Sequence, residues 1–399
     1  MSVSSISIIG GAGHVGLPLG LAFCSVGIKV TIIDKNSDAL GRIQNGFMPF
    51  LEPGGEEFLR KALEDEMLTT TSEPEACGET DAVVLVIGTP QSSSREQSVS
   101  SLLEVVRDYS LHLRSDQLII LRSTLALGAT EAIDEFLRER GLTIDLAYCP
   151  ERIAEHKAFT ELFELPQIIS GVGSSAKKRA AELFSLFGVE IIEASVPEAE
   201  LAKLVANSWR YIKFAAGNEF FEIATNAGVD YERLRYVVSH NYPRATDLPN
   251  PGFAAGPCLP KDTEHLSQST SSFRIGRTAI NINQGLPSFV VSRLELYTDL
   301  SNKKVGILGM SFKAGSDDIR SSLSYDLAGL LFGKCEQILK SDPYVSAAVD
   351  PFLIPMEDLL NHSDIVIVGA PHSEYEDLRV DSPIYDIWGI TSTGNEHVK

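Results

Sequence analysis

Apolar and polar positions along this chain switch between two periods. Ser5–Ile9 is an apolar run of strand length, Val15–Val26 carries apolar residues at helical spacing, and Lys29–Ile33 is again a strand, ending at Asp34. Asp81–Ile87 and Leu118–Leu121 are near-continuous apolar runs that stop at Gly88-Thr89-Pro90 and at Ser123-Thr124. Buried parallel strands read this way, and ligands bind outside their C-terminal ends. Residues 91–100 read as a polar loop. Residues 197–227 predict one long helix with Pro197 in its first turn, where the missing N–H has no intrahelical partner to lose. Residues 242–260 then break all periodicity with Pro243, Pro249, Pro251, Gly252, Gly256, Pro257 and Pro260, so an irregular loop is expected there. A second α/β unit begins at Lys304 with a strand at Val305–Met310. A further strand at Ser363–Gly369 ends in Asp-Ile-Val-Ile-Val-Gly-Ala-Pro, an echo of the segment at 81–90. The pattern predicts an α/β fold of two Rossmann-like doubly wound domains, residues 1–196 and 301–399, around a central long-helix region, residues 197–300.

Composition narrows the classes. At roughly 150 residues per domain, 399 residues suggest two or three domains. A net charge of −20 argues against general nucleic-acid binding, which needs a basic footprint. It still permits an anionic ligand held by a local group of cations and backbone N–H groups. The five cysteines are widely spaced and form no zinc motif, so free thiols in a reducing compartment and no metal site are expected. The chain enters its first strand at Ile6 without a leader pattern, and no apolar run is long enough to span a bilayer. A cytoplasmic location without membrane insertion is the expectation.

Four segments carry candidate chemistry. The turn Gly11-Ala12-Gly13-His14-Val15-Gly16 follows a strand and opens a helix, the context in which GxGxxG holds a dinucleotide pyrophosphate. Gly11 is expected to permit the tight turn, Gly13 the approach of the phosphates, and Gly16 the packing of helix on strand. Asp34 closes the second strand, where a carboxylate binds ribose hydroxyls and favours NAD over NADP; Lys35 beside it weakens that preference slightly. Cys258, in Gly256-Pro257-Cys258-Leu259-Pro260-Lys261-Asp262, sits between a Gly/Pro-rich loop and a helix start expected at Asp262. A helix N-terminus and a nearby lysine favour the thiolate, the nucleophile that traps an aldehyde. Glu200, Lys203 and Asn207 share one helical face, and the latter two could donate to an oxyanion; a solvated stripe is an equal alternative on the residues alone. Cys149-Pro150-Glu151-Arg152-Ile153-Ala154-Glu155 reads on residues alone as an exposed charged turn, with Arg152 available to a phosphate or carboxylate.

In these segments and their order the chain resembles the UDP-glucose/GDP-mannose dehydrogenase family. The likeness runs through Gly11–Gly16 with Leu17-Pro18-Leu19, Phe50-Leu51-Glu52-Pro53-Gly54, Gly88-Thr89-Pro90, Ser123-Thr124, Pro150-Glu151, Glu200–Asn207, Cys258–Asp262, Phe312-Lys313 and Ser316–Ser321. It implies NAD-dependent four-electron oxidation of a sugar-nucleotide C6 alcohol to the uronate. Cys258 would carry a thiohemiacetal and then a thioester. Lys203 and Asn207 would stabilise oxyanions, Asp262 would activate water, Glu155 would act as acid/base, Glu151 would lie beside the sugar, and Thr124 would hold water. Cofactor contacts are implied at Gly88, Thr89, Pro90, Ser123, Thr124, Glu155, Lys261 and Arg320. Substrate contacts are implied at Glu151, Arg152, Ile153, Lys203, Asn207, Arg244, Gly252, Phe253, Gly256, Phe312 and Lys313, with Phe312 stacking on the base. The long helix resembles the family's dimer core, so a homodimer is implied, with Arg244 reaching the partner subunit's substrate.

Some positions depart from the family pattern. Pro257 stands where a Ser or His is usual before the cysteine, Ser123-Thr124 is followed by Leu125-Ala126-Leu127, and the loop at 91–100 lacks the usual acidic turn. Pro150-Glu151-Arg152-Ile153 resembles members acting on UDP-N-acetylhexosamines, whereas Lys261-Asp262 resembles those acting on UDP-glucose. A UDP-hexose is expected, with the sugar left open between the two. Two other classes remain: a two-electron hydroxyacid or 6-phosphogluconate-like dehydrogenase, and a non-catalytic nucleotide-sugar-binding protein.

Overall fold

Eight strands of three to five residues line up in the N-terminal half: β1 (Ser5–Ile9), β2 (Lys29–Ile33), β3 (Leu68–Thr71), β4 (Ala82–Leu85), β5 (Leu118–Leu121), β6 (Asp145–Tyr148), β7 (Gln167–Gly171) and β8 (Ile191–Glu193). In this computed structural model, which describes residues 3–88, 95–378 and 382–391, they form one sheet in the order β3-β2-β1-β4-β5-β6-β7-β8. Every pairing is parallel except β6 with β7. That one antiparallel step departs from the all-parallel expectation, and it ends the doubly wound part of the sheet at β6. The connection reverses at β1/β4, where strand order changes direction and a crevice opens for ligand. Eight helices accompany the strands: α1 (Gly16–Ser25), α2 (Ser37–Gln44), α3 (Gly55–Glu64), α4 (Arg95–Ser110), α5 (Ala129–Glu139), α6 (Ala158–Glu164), α7 (Ser174–Phe184) and α8 (Val196–Asn226).

Both faces of this sheet are covered, which is why its strands read as continuous apolar runs rather than alternating ones. One face buries Ile6, Ile8, Leu17, Leu21, Phe23, Ile32, Val84 and Ile120. The other buries Ile9, Ile33, Val83, Leu85, Val106, Ile119, Ile133 and Tyr148. α4 begins at Arg95, inside the segment expected to be a polar loop; residues 89–94 lie outside the described residues. The apolar stripe Leu102, Val106 and Tyr109 is buried at helical spacing. A helix nucleated on that stripe propagates into polar sequence at little cost, since each added residue gains one hydrogen bond.

The chain divides into two compact units, Met1–Ala206 and Asn207–Lys399, with the boundary inside α8. The second unit continues with α9 (Tyr231–Ser239), α10 (Leu259–Ser269), α11 (Arg274–Tyr297), α12 (Leu323–Leu331) and α13 (Met356–His362). Its four strands, β9 (Lys304–Leu308), β10 (Gln337–Ser341), β11 (Ile365–Val368) and β12 (Ile384–Asp386), form an all-parallel sheet ordered β10-β9-β11-β12. β9 stops two residues before the expected end because Gly309 turns at φ +89°, beside Ala370. α10 starts at Leu259 rather than at Asp262: Pro260 lies in its first turn, where a missing N–H costs nothing, and Cys258 becomes its N-cap. Among the described residues no helix is long and apolar enough to cross a membrane.

Candidate active site

The dinucleotide turn is built by exclusion of side chains. The tight turn falls on Gly10, with φ +75°, and not on Gly11 as the motif alone suggests. A Cβ on Gly10 would stand 2.1 Å from the Val86 carbonyl oxygen. At Gly11 it would meet the Ile8 oxygen at 2.6 Å, and at Gly16 the Gly11 Cα at 2.6 Å, so helix and strand approach as only glycine allows. Gly13 and Gly88 differ. Around Gly13 the nearest atom would be 3.9 Å away, and around Gly88 nothing among the described residues lies within 4 Å. The open backbone at Gly13, before the N-terminus of α1, suits a pyrophosphate. Val15 caps α1, and His14 stacks on Phe50 with ring centroids 4.0 Å apart. Asp34 accepts from the Ala12 and Asn36 N–H groups, both at 3.0 Å, which fixes its carboxylate beside the turn; Lys35 is exposed. These residues fit NAD. Of the other cofactor positions, Ser123 ties the ends of β4 and β5 together by accepting from Ile87 N at 2.7 Å, and Thr124 is half-buried. Thr89 and Pro90 lie outside the described residues.

The turn after β6 is held by two buried carboxylates. Glu151, expected beside the sugar, accepts from Arg122 Nε at 3.0 Å and Nη2 at 2.5 Å, and from the N–H groups of Arg152 and Ile153. Arg122 is itself buried, donates to the Cys149 carbonyl and to Gln167, and lies over the Phe184 ring. Glu52 accepts from His156 N and Ala158 N, both at 2.9 Å. Between these anchors lies half-buried Glu155. The segment is therefore a braced turn and not the exposed charged one its composition suggests. Arg152 turns its guanidinium to the Pro166 carbonyl. Glu200 is also buried; it accepts from the Gly128 and Thr130 N–H groups and the Thr130 hydroxyl, capping α5 from α8, with half-buried Lys203 one turn further on.

In the second unit Asn207 donates to Asp262 Oδ2 at 2.6 Å. Asp262 is fully buried, and its Oδ1 has no hydrogen-bond partner among the described residues, an oxygen available to water or ligand. The backbone N–H of Asp262 closes the first turn on the Cys258 carbonyl at 2.9 Å. Of the five cysteines Cys258 alone is exposed. Burial pushes the Cys24 and Cys149 thiols up to about 12 and Cys77 to about 11, which leaves them inert packing groups. The loop before Cys258 is clamped to α8. Asn218 donates to and accepts from the Gly252 backbone at 3.1 and 2.7 Å, Asn283 braces Asn218, and Tyr231 donates to the Pro249 carbonyl. Phe253 is buried. Gly252 lies under the Trp388 ring, and Gly256, at φ +92°, lies against the Phe312 ring. Lys313 sits 5.4 Å over that ring, Arg320 is held by Asp318, Lys261 is half-buried, and Arg244 is exposed over Tyr242.

Arg122, Asn218 and Asn283 were not singled out from the sequence, and Glu52 was named without a role. Asn218 did carry a signal, since it follows Asn207 by eleven residues, three helical turns along the same face. Arg122 carried none, and Glu52 stood only within a segment of the resemblance, because only the fold brings each to its partners.

Comparison with known proteins agrees with this architecture. Three successive profiles of the UDP-glucose/GDP-mannose dehydrogenase family match: the NAD binding domain over residues 4–188, the central domain over 197–284 and the UDP binding domain over 306–393. A UDP-N-acetyl-D-mannosamine dehydrogenase of Pyrococcus horikoshii is 28% identical, over 93% of this chain and 90% of its own. A UDP-glucose 6-dehydrogenase of Rickettsia bellii is 29% identical, over 92% and 89%. The structure of a UDP-glucose dehydrogenase from Pyrobaculum islandicum superposes with a TM-score of 0.90 at 25% identity, covering 98% of this chain and 96% of that one. With a turn fitted to NAD in one unit, an exposed cysteine at a helix N-cap in the other, and family matches from residue 4 to residue 393, the chain belongs to the UDP-glucose/GDP-mannose dehydrogenase family and is an NAD-dependent oxidoreductase.

Proposed function

We propose that this enzyme oxidises the C6 hydroxyl of a UDP-linked hexose to a carboxylate through a covalent adduct on Cys258. The observation that carries the reading is the grouping at the start of α10: an exposed cysteine at the N-cap, and one turn on a buried aspartate with one oxygen on Asn207 and the other without a hydrogen-bond partner among the described residues. A two-electron hydroxyacid dehydrogenase needs neither group. NAD⁺, when bound at the glycine turn, supplies the hydride acceptor for both oxidations.

The rest falls to side chains. Glu155, on its braced turn, takes the proton of the C6 hydroxyl. The Cys258 thiolate, favoured at a helix N-terminus, then adds to the aldehyde carbon; a C–S bond forms and the carbonyl π pair moves to oxygen. Lys203 and Asn207 donate to that oxyanion. After the second oxidation the adduct is a thioester. Water held by Thr124 and Asp262 attacks it, Asp262 accepts the proton, and the C–S bond breaks to return the thiolate. Phe312, Lys313, Gly252, Phe253 and Gly256 would contact the nucleotide, and Arg320 and Lys261 the cofactor. In this reading residues 1–196 bind NAD, 197–300 supply the nucleophile and the dimer contact, and 301–399 bind the nucleotide.

The sugar is glucose or an N-acetylhexosamine. The Pro150–Ile153 segment favours the acetamido sugar, and Arg152 within it turns its guanidinium to the Pro166 carbonyl. Relatives of both kinds lie at similar identity. The test is to incubate the protein with NAD⁺ and UDP-glucose, UDP-GlcNAc or UDP-ManNAc and count NADH per sugar consumed. Two NADH with one of them is expected, and Cys258→Ser should form no acid while still binding NAD⁺. One NADH per sugar, or uronate at the normal rate from the serine variant, would overturn the covalent route.

A further inference from the structure

The loop that carries Phe312 and Lys313 is fastened by a buried histidine to which the chemistry above assigns no part. β9 ends at Leu308, and the chain from 310 to 315 forms the loop. At its start, Met310 N and Ser311 N donate to Asp342 Oδ2 at 2.7 and 2.9 Å. The other carboxylate oxygen accepts from Tyr344 N and Val345 N at 2.8 and 3.0 Å. His372, which follows β11, has no exposed side-chain surface, and neither has Asp342. Its Nε2 lies 3.2 Å from Asp342 Oδ2 and 3.2 Å from Ser311 Oγ. Its Nδ1 accepts from the Gly315 N–H at 3.0 Å, at the far end of the loop.

The protonation pattern follows from the partners. A backbone N–H can only donate, so Nδ1 must present its lone pair to Gly315. The ring proton is then on Nε2, where the Asp342 carboxylate accepts it. One imidazole thus ties both ends of the loop to a fixed anion, with Tyr344 and Tyr375 flanking the ring at centroid distances of 5.1 and 5.3 Å. Ser311 Oγ also donates to the Lys313 carbonyl at 2.9 Å. At the loop's crest Phe312 stands so close to Gly256 that a Cβ there would lie 2.5 Å from its ring. Gly256 is two residues before Cys258, so the loop borders the nucleophile's own segment.

We propose that His372 is a positioning residue for nucleotide recognition: through Asp342 on one side and Gly315 on the other it holds Phe312 and Lys313 in the binding arrangement before the substrate arrives. The proposal rests on the functional reading above, in which those two residues meet the nucleotide. A loop ordered in advance has less conformational freedom to lose on binding, so the relay acts on affinity rather than on the chemical step.

Two near-isosteric variants separate the ends of the relay. In His372→Gln the amide nitrogen can take the place of Nε2 and donate to Asp342, but the acceptor for Gly315 is lost. In His372→Asn the side-chain oxygen can take the place of Nδ1 and keep that acceptor. UDP itself is the probe, titrated calorimetrically into the full chain, with NAD⁺ titrated separately as a check on the other unit. His372→Gln should weaken UDP about tenfold, the scale of one lost buried hydrogen bond. His372→Asn should stay within about threefold of wild type, and NAD⁺ affinity should not move in either. Should His372→Gln fail to fold, Ser311→Ala removes the hydroxyl's two contacts, to His372 and to the Lys313 carbonyl, and should weaken UDP by a few-fold. Wild-type UDP affinity in the glutamine variant, or in the serine variant where it replaces it, would overturn the proposal, as would equal losses in both histidine variants. Absence of UDP binding by wild type would instead overturn the functional reading, and this inference with it.

Discussion

Each parallel sheet of this chain ends its second strand in an aspartate, and each aspartate accepts from the backbone that follows the first strand. Asp34 takes the Ala12 N–H; Asp342 takes the N–H groups of Met310 and Ser311. Their surroundings then separate them. Asp34 is partly exposed beside a glycine turn fitted to NAD, whereas Asp342 is enclosed with His372. Burial alone would raise the Asp342 carboxyl. The hydrogen bond from the neutral His372 ring, with the N–H groups of Ser311 and Tyr344, outweighs that and holds it down to about 2. A carboxylate depressed in the folded state stabilises the fold above its ordinary pKa near 4, and that contribution is lost as pH falls from about 4 through 2. The amount at neutral pH is on the order of 2 kcal/mol. Asp342→Asn places an N–H among donors, as protonation of the native acid places an O–H there. The stability gap between wild type and Asp342→Asn should therefore be largest at pH 5–7 and shrink toward pH 2–3, as read by urea unfolding. A gap that does not change with pH would remove the ionised Asp342 from the account.

Between elements, what matters is how the ends of helices are satisfied. The N-terminus of α5 has no capping side chain of its own, since Gly128 stands at the cap in a left-handed conformation. Glu200 supplies the acceptors from α8, at 2.7 Å from Gly128 N and 2.9 Å from Thr130 N. Glu200→Ala would leave those buried donors unpaired and should cost about 2–3 kcal/mol, seen as a lower Tm, while Glu200→Gln should recover part of it. An unchanged Tm in the alanine variant would mean that water replaces the carboxylate. The elements themselves were legible in the sequence because each rests on local pattern. β1 and β2 match their apolar runs, and α8 departs from the expected helix by one residue at each end, since Pro197 marks its start and no later residue interrupts the apolar spacing. The irregular loop before Cys258 and the place of Asp34 after β2 were legible for the same reason, resting on contiguous residues. What stayed hidden depends on distant partners. Arg122 with Glu151, Glu52 with the backbone of 156–158, and Asn218 with Gly252 are pairs whose members are far apart in sequence and become visible only when the sheet is wound.

At the scale of the whole molecule the unexplained feature is apolar surface. Trp209, Phe220 and Ile223 on α8 are exposed by 56, 46 and 58%, and at 100° per residue they share an arc of about 60°. Tyr236, Val237 and Val238 on α9 are exposed as well. A contiguous apolar stripe on a chain of net charge −20 implies a partner that covers it, and we read that partner as a second copy of this chain. A two-fold contact counts every substitution twice. Ile223→Asp should therefore weaken the dimer about 100-fold or more, from loss of apolar burial at both symmetry-related sites. The charge works the other way: two copies repel, so the wild-type dimer should tighten as salt screens them. Sedimentation equilibrium at low and high salt reads both effects. In the proposed reading Arg244, exposed over Tyr242, serves the partner subunit's substrate, so the aspartate variant should lose uronate formation at protein concentrations where it is monomeric and regain it as concentration rises. A wild-type chain that sediments as a monomer at all salt concentrations, or a monomeric variant with full activity, would break the link between this stripe and the site.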